Sequence, residues 1–82
     1  MPTTRQEIAE WFEEGIQNGK THMIVACDTF DYEDYPVYVS EGESARTAYE
    51  ERNGRNMQRV MEVYDLRMDM ETQLNERRAF NF

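Results

Sequence analysis

The sequence predicts an α+β domain: a small three-stranded antiparallel sheet in spatial order 2-1-3, helices on one face, and elements in the order α-β-β-α-β-α. Three observations lead there. Ile8, Trp11, Phe12 and Ile16 recur at helical spacing behind a capping box, Thr4-x-x-Glu7. Two apolar runs, Met23-Ile24-Val25-Ala26-Cys27 and Val37-Tyr38-Val39, flank a polar link and read as neighbouring strands. Asn18-Gly19 and Asn53-Gly54 each close a helical pattern with a residue suited to the left-handed cap.

The first helix runs from the Thr4 cap to Asn18. Its Glu7, Glu10, Glu13 and Glu14 have no intervening cation, so its solvent face is negative. The first strand, about Thr21 to Cys27, is apolar on both faces, which marks a central strand covered at least partly on both sides. The second, about Tyr35 to Ser40, contains Pro36, which cannot donate to a ladder, so this strand belongs at an edge. Ser40-x-x-Glu43 repeats the capping pattern and places a second helix over about Glu43 to Arg52, with a thin stripe of Ala45, Ala48 and Tyr49.

The third strand covers about Met57 to Leu66, with Met61 and Val63 on one side and Val60, Tyr64 and Leu66 on the other. Asp69 caps a last helix over about Met70 to Arg78, resting on Met70, Leu74 and Phe80, with Arg77 and Arg78 at its negative end. A hairpin makes strands 1 and 2 antiparallel, and the crossover helix then makes strand 3 antiparallel to strand 1. The glycines (Gly15, Gly19, Gly42, Gly54) sit at or near helix ends, and no phosphate-binding loop is present.

Residues 1–82 read as one domain with one core. At this length folding buries only about 60–65% of the surface exposed in the unfolded chain, so stability is modest. No apolar run approaches the roughly 18–20 residues that span a bilayer. Met1-Pro2-Thr3-Thr4-Arg5 leads into a charged helix, the pattern of a chain without a signal peptide. One cysteine excludes an internal disulfide and fits a reducing, cytoplasmic compartment. The net charge is −8, carried by the first part of the chain: residues 1–51 hold twelve acids against three cations, residues 52–82 five against six. Such a body repels nucleic acid and anionic membrane and favours basic protein partners.

The link between the first two strands concentrates this charge. Asp28 to Pro36 holds four carboxylates, Asp28, Asp31, Glu33 and Asp34, among the rings of Phe30, Tyr32 and Tyr35. With Tyr38 beside them these eight residues are the candidate partner-binding set: tyrosine buries much area and keeps a polar tip, and carboxylates between rings receive arginines by bidentate bonds. A solvated acidic turn, with half the rings completing a small core, is the plainer reading of the same residues. As metal ligands, Asp28, Asp31, Glu33 and Asp34 are weak candidates, because their spacing lacks the alternation and central glycine of a calcium loop. A small metal- or ligand-binding domain built on them is the alternative to protein binding. Acids arrayed at phosphate-like intervals would imitate DNA, but the arginines after residue 51 interrupt the array.

Catalysis has no support in the residues. His22 and Cys27 are too few for a zinc site and lie on opposite faces of a strand. Cys27 lacks the cationic neighbour that would lower its pKa. No pair of carboxylates is set apart as acid and base. No cofactor is implied, and the chain reads as a non-enzyme. A homodimer through the second strand, or through a seam of the six methionines, stays open.

The segment from Asn18-Gly19 through Thr21–Val39, with Met61-Glu62-Val63-Tyr64-Asp65-Leu66 and Gln73-Leu74-Asn75-Glu76-Arg77-Arg78-Ala79-Phe80, resembles a group of small uncharacterised phage and prophage proteins. The resemblance implies a phage context and the cytoplasm of a host cell. It brings no activity or site with it. Small acidic phage proteins often bind and block a host enzyme or defence complex, so the resemblance implies an inhibitor or modulator of a host protein.

Overall fold

A computed structural model describes residues 4–54, 57–76 and 79–82. The elements are α1 (Arg5–Gln17), β1 (His22–Asp28), β2 (Asp34–Val39), α2 (Ala45–Arg52), β3 (Gln58–Asp65) and α3 (Met70–Asn75). The sheet has the order β2-β1-β3 with both pairings antiparallel. The fold class, element order and strand order are those the sequence predicts, and β2, with Pro36, is an edge.

Each helix starts at a side-chain cap. The Thr4 hydroxyl accepts from the Glu7 N–H at 3.2 Å, and Asp69 accepts from the Thr72 N–H at 2.9 Å. The second cap differs from expectation. Ser40 and Glu43 do bond to each other, the Ser40 N–H to Glu43 Oε1 at 2.9 Å and the Glu43 N–H to the Ser40 carbonyl at 3.0 Å. They close a turn rather than a helix, and Ser44 caps α2 instead, accepting from the Thr47 N–H at 3.2 Å.

Helices occupy both faces, not one. Phe12 of α1 packs with Met23, Val25, Tyr64, Leu66 and Ala79, joined by Met70 and Leu74 of α3. On the other face Ala45, Ala48 and Tyr49 of α2 pack with Ile24, Val39, Val60 and Val63. The cause lies in β1, whose residues His22 to Ala26 are all buried: a strand apolar on both sides needs cover on both. Even the thin stripe of α2 supplies it.

β3 also departs from simple alternation. Val25 pairs with Glu62 but Ala26 pairs with Val60, so Met61 is an extra residue in a β-bulge. The bulge turns Val60 and Val63, three apart, to the α2 face, while Met61 joins Tyr64 and Leu66 on the α1 face.

α1 approaches the sheet through Gly15. A methyl group there would stand 2.6 Å from Leu66 Cδ1 and 2.8 Å from Tyr38 Cε1. Gly15 is therefore a contact residue of the helix, not an end marker. Ile16, expected on the apolar face, is half exposed.

α3 stops at Asn75, short of the expected Arg78, because Glu76 turns to an extended conformation and the chain comes back along β3. Arg77 and Arg78 lie outside the described residues. The Val63 N–H donates to the Ala79 carbonyl at 2.8 Å, and the Asn81 N–H to the Val63 carbonyl at 2.9 Å. Phe80 thus leaves α3 and meets Tyr49 of α2 edge-on at 6.0 Å. Gln73, fully buried, acts as a further piece of strand: its Oε1 accepts from the Asp65 N–H and its Nε2 donates to the Asp65 carbonyl, both at 2.8 Å.

Candidate functional site

The β1–β2 loop is built by its own acids. Asp28 and Glu33 close the hairpin through the Asp28 N–H to the Glu33 carbonyl at 2.9 Å, and the Tyr32 N–H donates to the Asp28 carbonyl at 2.7 Å. Asp28 Oδ1 accepts from the Phe30 N–H at 2.7 Å, and Asp31 Oδ1 from the Glu33 N–H at 3.1 Å. Both are side-chain turns of the kind aspartate makes readily. Two of the four carboxylates therefore hold the loop's shape, and Glu33 is left exposed beside them.

That shape throws the rings outward. Phe30 is 78% exposed and Tyr32 71%. Tyr32 has φ of +59°, a left-handed conformation unusual for a ring-bearing residue. The loop is tied to the start of β3, where the Thr29 N–H and hydroxyl donate to the Met57 carbonyl at 2.7 and 2.9 Å. Met57 also has φ of +59° and is 57% exposed. Phe30, Tyr32 and Met57 thus stand out from two joined loops at one end of the sheet. Met57 lies outside the candidate set; its sequence context reads as the first residue of a strand, and no local pattern marks it otherwise.

The other members of the candidate set divide. Asp34 lies opposite Cys27, whose thiol donates to the Asp28 carbonyl at 3.6 Å. Burial, then the neighbouring carboxylates of Asp34, Asp28 and Asp31, push the thiol pKa up, so Cys27 is a poor nucleophile. Tyr35 is half-buried, its phenol pushed up by burial and by Asp28, with Arg52 opposing. Tyr38 is turned into the fold. Its hydroxyl donates to the Trp11 carbonyl at 2.8 Å, and its ring lies against Gly15. It belongs to the α1 contact and not to the exposed rim, because the close helix approach leaves no other place for the ring.

The four loop carboxylates do not gather round a common point: among the described residues no three of His, Cys, Asp and Glu are placed to hold a metal ion. Among the described residues no Lys or Arg forms an ion pair with them. The ion pair among the described residues joins Asp65 to Arg67 at 3.0 Å, at the opposite end of β1, where His22 Nε2 also lies 3.6 Å from Asp65.

That far end is a buried polar cluster that the sequence did not reveal. His22, Asp65 and Gln73 are each at least nine-tenths buried. His22 Nδ1 lies 3.0 Å from the Thr21 hydroxyl. Burial lowers the His22 pKa against the pull of Asp65, so the imidazole is neutral near pH 7. The bond from Arg67 lowers the Asp65 pKa against the effect of burial. The bonds of Asp65 and Gln73 go to neighbours in the fold, while the buried His22 Nε2 makes no hydrogen bond among the described residues.

No helix among the described residues is long and apolar enough to cross a membrane. Comparison of the chain with protein-family models, with curated protein sequences and with solved structures finds no match to any of them.

Proposed function

We propose that this chain is a phage-encoded protein-binding protein, acting in the host cytoplasm, whose acidic ring-bearing rim docks on a basic surface of a host protein or defence complex and inhibits or modulates it. The observation that carries the reading is the exposure of Phe30, Tyr32 and Met57, two of them on left-handed backbone. A left-handed non-glycine residue costs on the order of 1–3 kcal/mol, and such strain clusters at binding sites. Asp31 and Glu33 lie between and beside the rings, without a cationic partner among the described residues. Aromatic anchors edged by charge are the composition of interface hot spots. The phage context rests on the resemblance of residues 18–19, 21–39, 61–66 and 73–80 alone. The alternative, a metal site on Asp28, Asp31, Glu33 and Asp34, lacks a gathered donor set.

Capture from bacterial lysate, run in parallel with the wild-type chain and a Phe30→Ala/Tyr32→Ala variant, tests the reading. Both side chains are exposed, so the variant keeps its fold, checked by its melting temperature. The expected result is a host protein held by the wild type and lost from the variant, since one hot-spot ring is worth about 2 kcal/mol or more, roughly thirtyfold in affinity. Identical captured proteins from both chains would remove the rim as the recognition surface.

A further inference from the structure

The two edges of the sheet are treated differently. Along β3 the outward backbone groups are met one after another. The Gln58 carbonyl accepts from the Gly54 N–H at 2.9 Å, and the Val60 N–H donates to Asn53 Oδ1 at 3.2 Å. Val63 is bonded on both sides by residues 79–81, and Asp65 on both by the Gln73 amide. Loop, side chain, returning chain and buried amide all close this one edge.

β2 has nothing comparable. The Asp28 N–H bond to Glu33 sets the ladder, so Tyr35, Val37 and Val39 turn their backbone groups to β1. Asp34, Pro36 and Tyr38 turn theirs outward: three carbonyls, and the N–H groups of Asp34 and Tyr38. Among the described residues no strand, side chain or loop meets them. Such an edge is a template for another strand.

The surroundings say what kind of strand. Asp34 lies on the α1 face of the sheet, as the partner of Cys27, and Glu14 of α1 is close enough to act on the Tyr38 hydroxyl. Asp31 and Glu33 stand at the same end of the edge as Asp34. On the other face Tyr35 and Val37 are half-buried and continue the apolar surface under α2. A strand laid beside β2 would put alternate side chains against acids and against apolar surface. A second copy of this chain would bring like charge to like charge, at a net −8 for each copy.

We propose that the outer edge of β2 accepts an extended segment of a partner protein in which basic and apolar residues alternate, adding it as a fourth strand. This rests on the protein-binding reading and specifies how the partner is held: main-chain bonds at Asp34, Pro36 and Tyr38 give affinity, and the acids choose its charge. Because Pro36 has no N–H, the incoming strand finds donors only at the two ends of a five-residue window.

The test is a titration of the isotope-labelled chain with a blocked six-residue peptide of alternating arginine and valine, read by amide chemical shifts. Three controls accompany it: the same peptide N-methylated on the bonding side, the same composition unalternated, and glutamate in place of arginine. The expected result is movement of the Asp34 and Tyr38 amides, lost about tenfold or more in affinity on N-methylation and abolished by the glutamate exchange. Equal binding of the methylated or unalternated peptide would overturn the proposal, as would no binding up to about 1 mM. Shifts confined to residues 29–33 would overturn it while leaving the rim reading intact. Dilution-dependent shifts at Tyr38 without peptide would show a second copy as the occupant and overturn it too. Loss of the rim reading alone would appear as unchanged lysate capture by the Phe30→Ala/Tyr32→Ala variant with edge binding of the peptide retained.

Discussion

At the scale of single residues, Tyr32 carries the sharpest tension between stability and use. A ring at φ +59°, 71% exposed, gains little from packing and strains its backbone. Tyr32→Gly removes the strain, and the account predicts a gain of about 1 kcal/mol in unfolding free energy by chemical denaturation, together with loss of the captured partner. A destabilised glycine variant would mean the ring is held by the fold for the fold's sake. The strain was not legible in the sequence, because a left-handed conformation at a tyrosine has no local signature. The acids were legible as a cluster but not as staples, since an aspartate that folds a loop and one that meets a partner look alike in one dimension. Tyr38 shows the same limit: period-two alternation places it on a face, and only the close approach at Gly15 decides that the face is buried.

Among the elements, the Thr4 and Asp69 caps, the proline edge and the apolar central strand are legible locally, while the Ser40-x-x-Glu43 pattern closes a turn and leaves the capping of α2 to Ser44. What failed depended on contacts distant in sequence. The bulge at Met61 reverses the side assignment of Val63 relative to Met61, and nothing in Val60-Met61-Glu62-Val63 announces it. Cover on the second face comes from α2, whose short apolar stripe understates its role. Gly15→Ala gains helix propensity of about 1 kcal/mol but forces Leu66 and the Tyr38 ring apart. The net expectation is a loss of about 1–2 kcal/mol in denaturant unfolding and a weaker Tyr38–Trp11 bond. Gln73→Leu keeps the volume but leaves the Asp65 N–H and carbonyl without their bonds, at a cost of about 3 kcal/mol. Equal stability of the leucine variant would show that the amide is not needed to close the β3 edge.

For the whole molecule, charge is divided between two ends of one thin sheet: acids and rings without an ion pair among the described residues at one, a buried polar cluster at the other. The cluster fixes the response to acid. His22 has a folded pKa below its ordinary 6.5, so the unfolded chain takes up the proton more readily, and stability falls as pH drops through 6.5. Asp65 has a folded pKa below 3.8, so its contribution is present above that value and is lost as pH falls further. A plot of unfolding free energy against pH should therefore show an upper step that His22→Gln removes and a lower one that it keeps. If the acidic end meets the partner as proposed, capture is salt-sensitive, since exposed charges are screened over about 8 Å at physiological ionic strength. The proposed partner surface is the rim at residues 29–34 with the neighbouring β2 edge. Hydrogen exchange of the chain, free and in complex with the captured host protein, maps that surface. Slowed exchange at residues 29–34 and at Tyr38, with β3 and α3 unchanged, is the predicted footprint; protection confined to α2 and residues 79–82, with the rim exchanging as before, would contradict it.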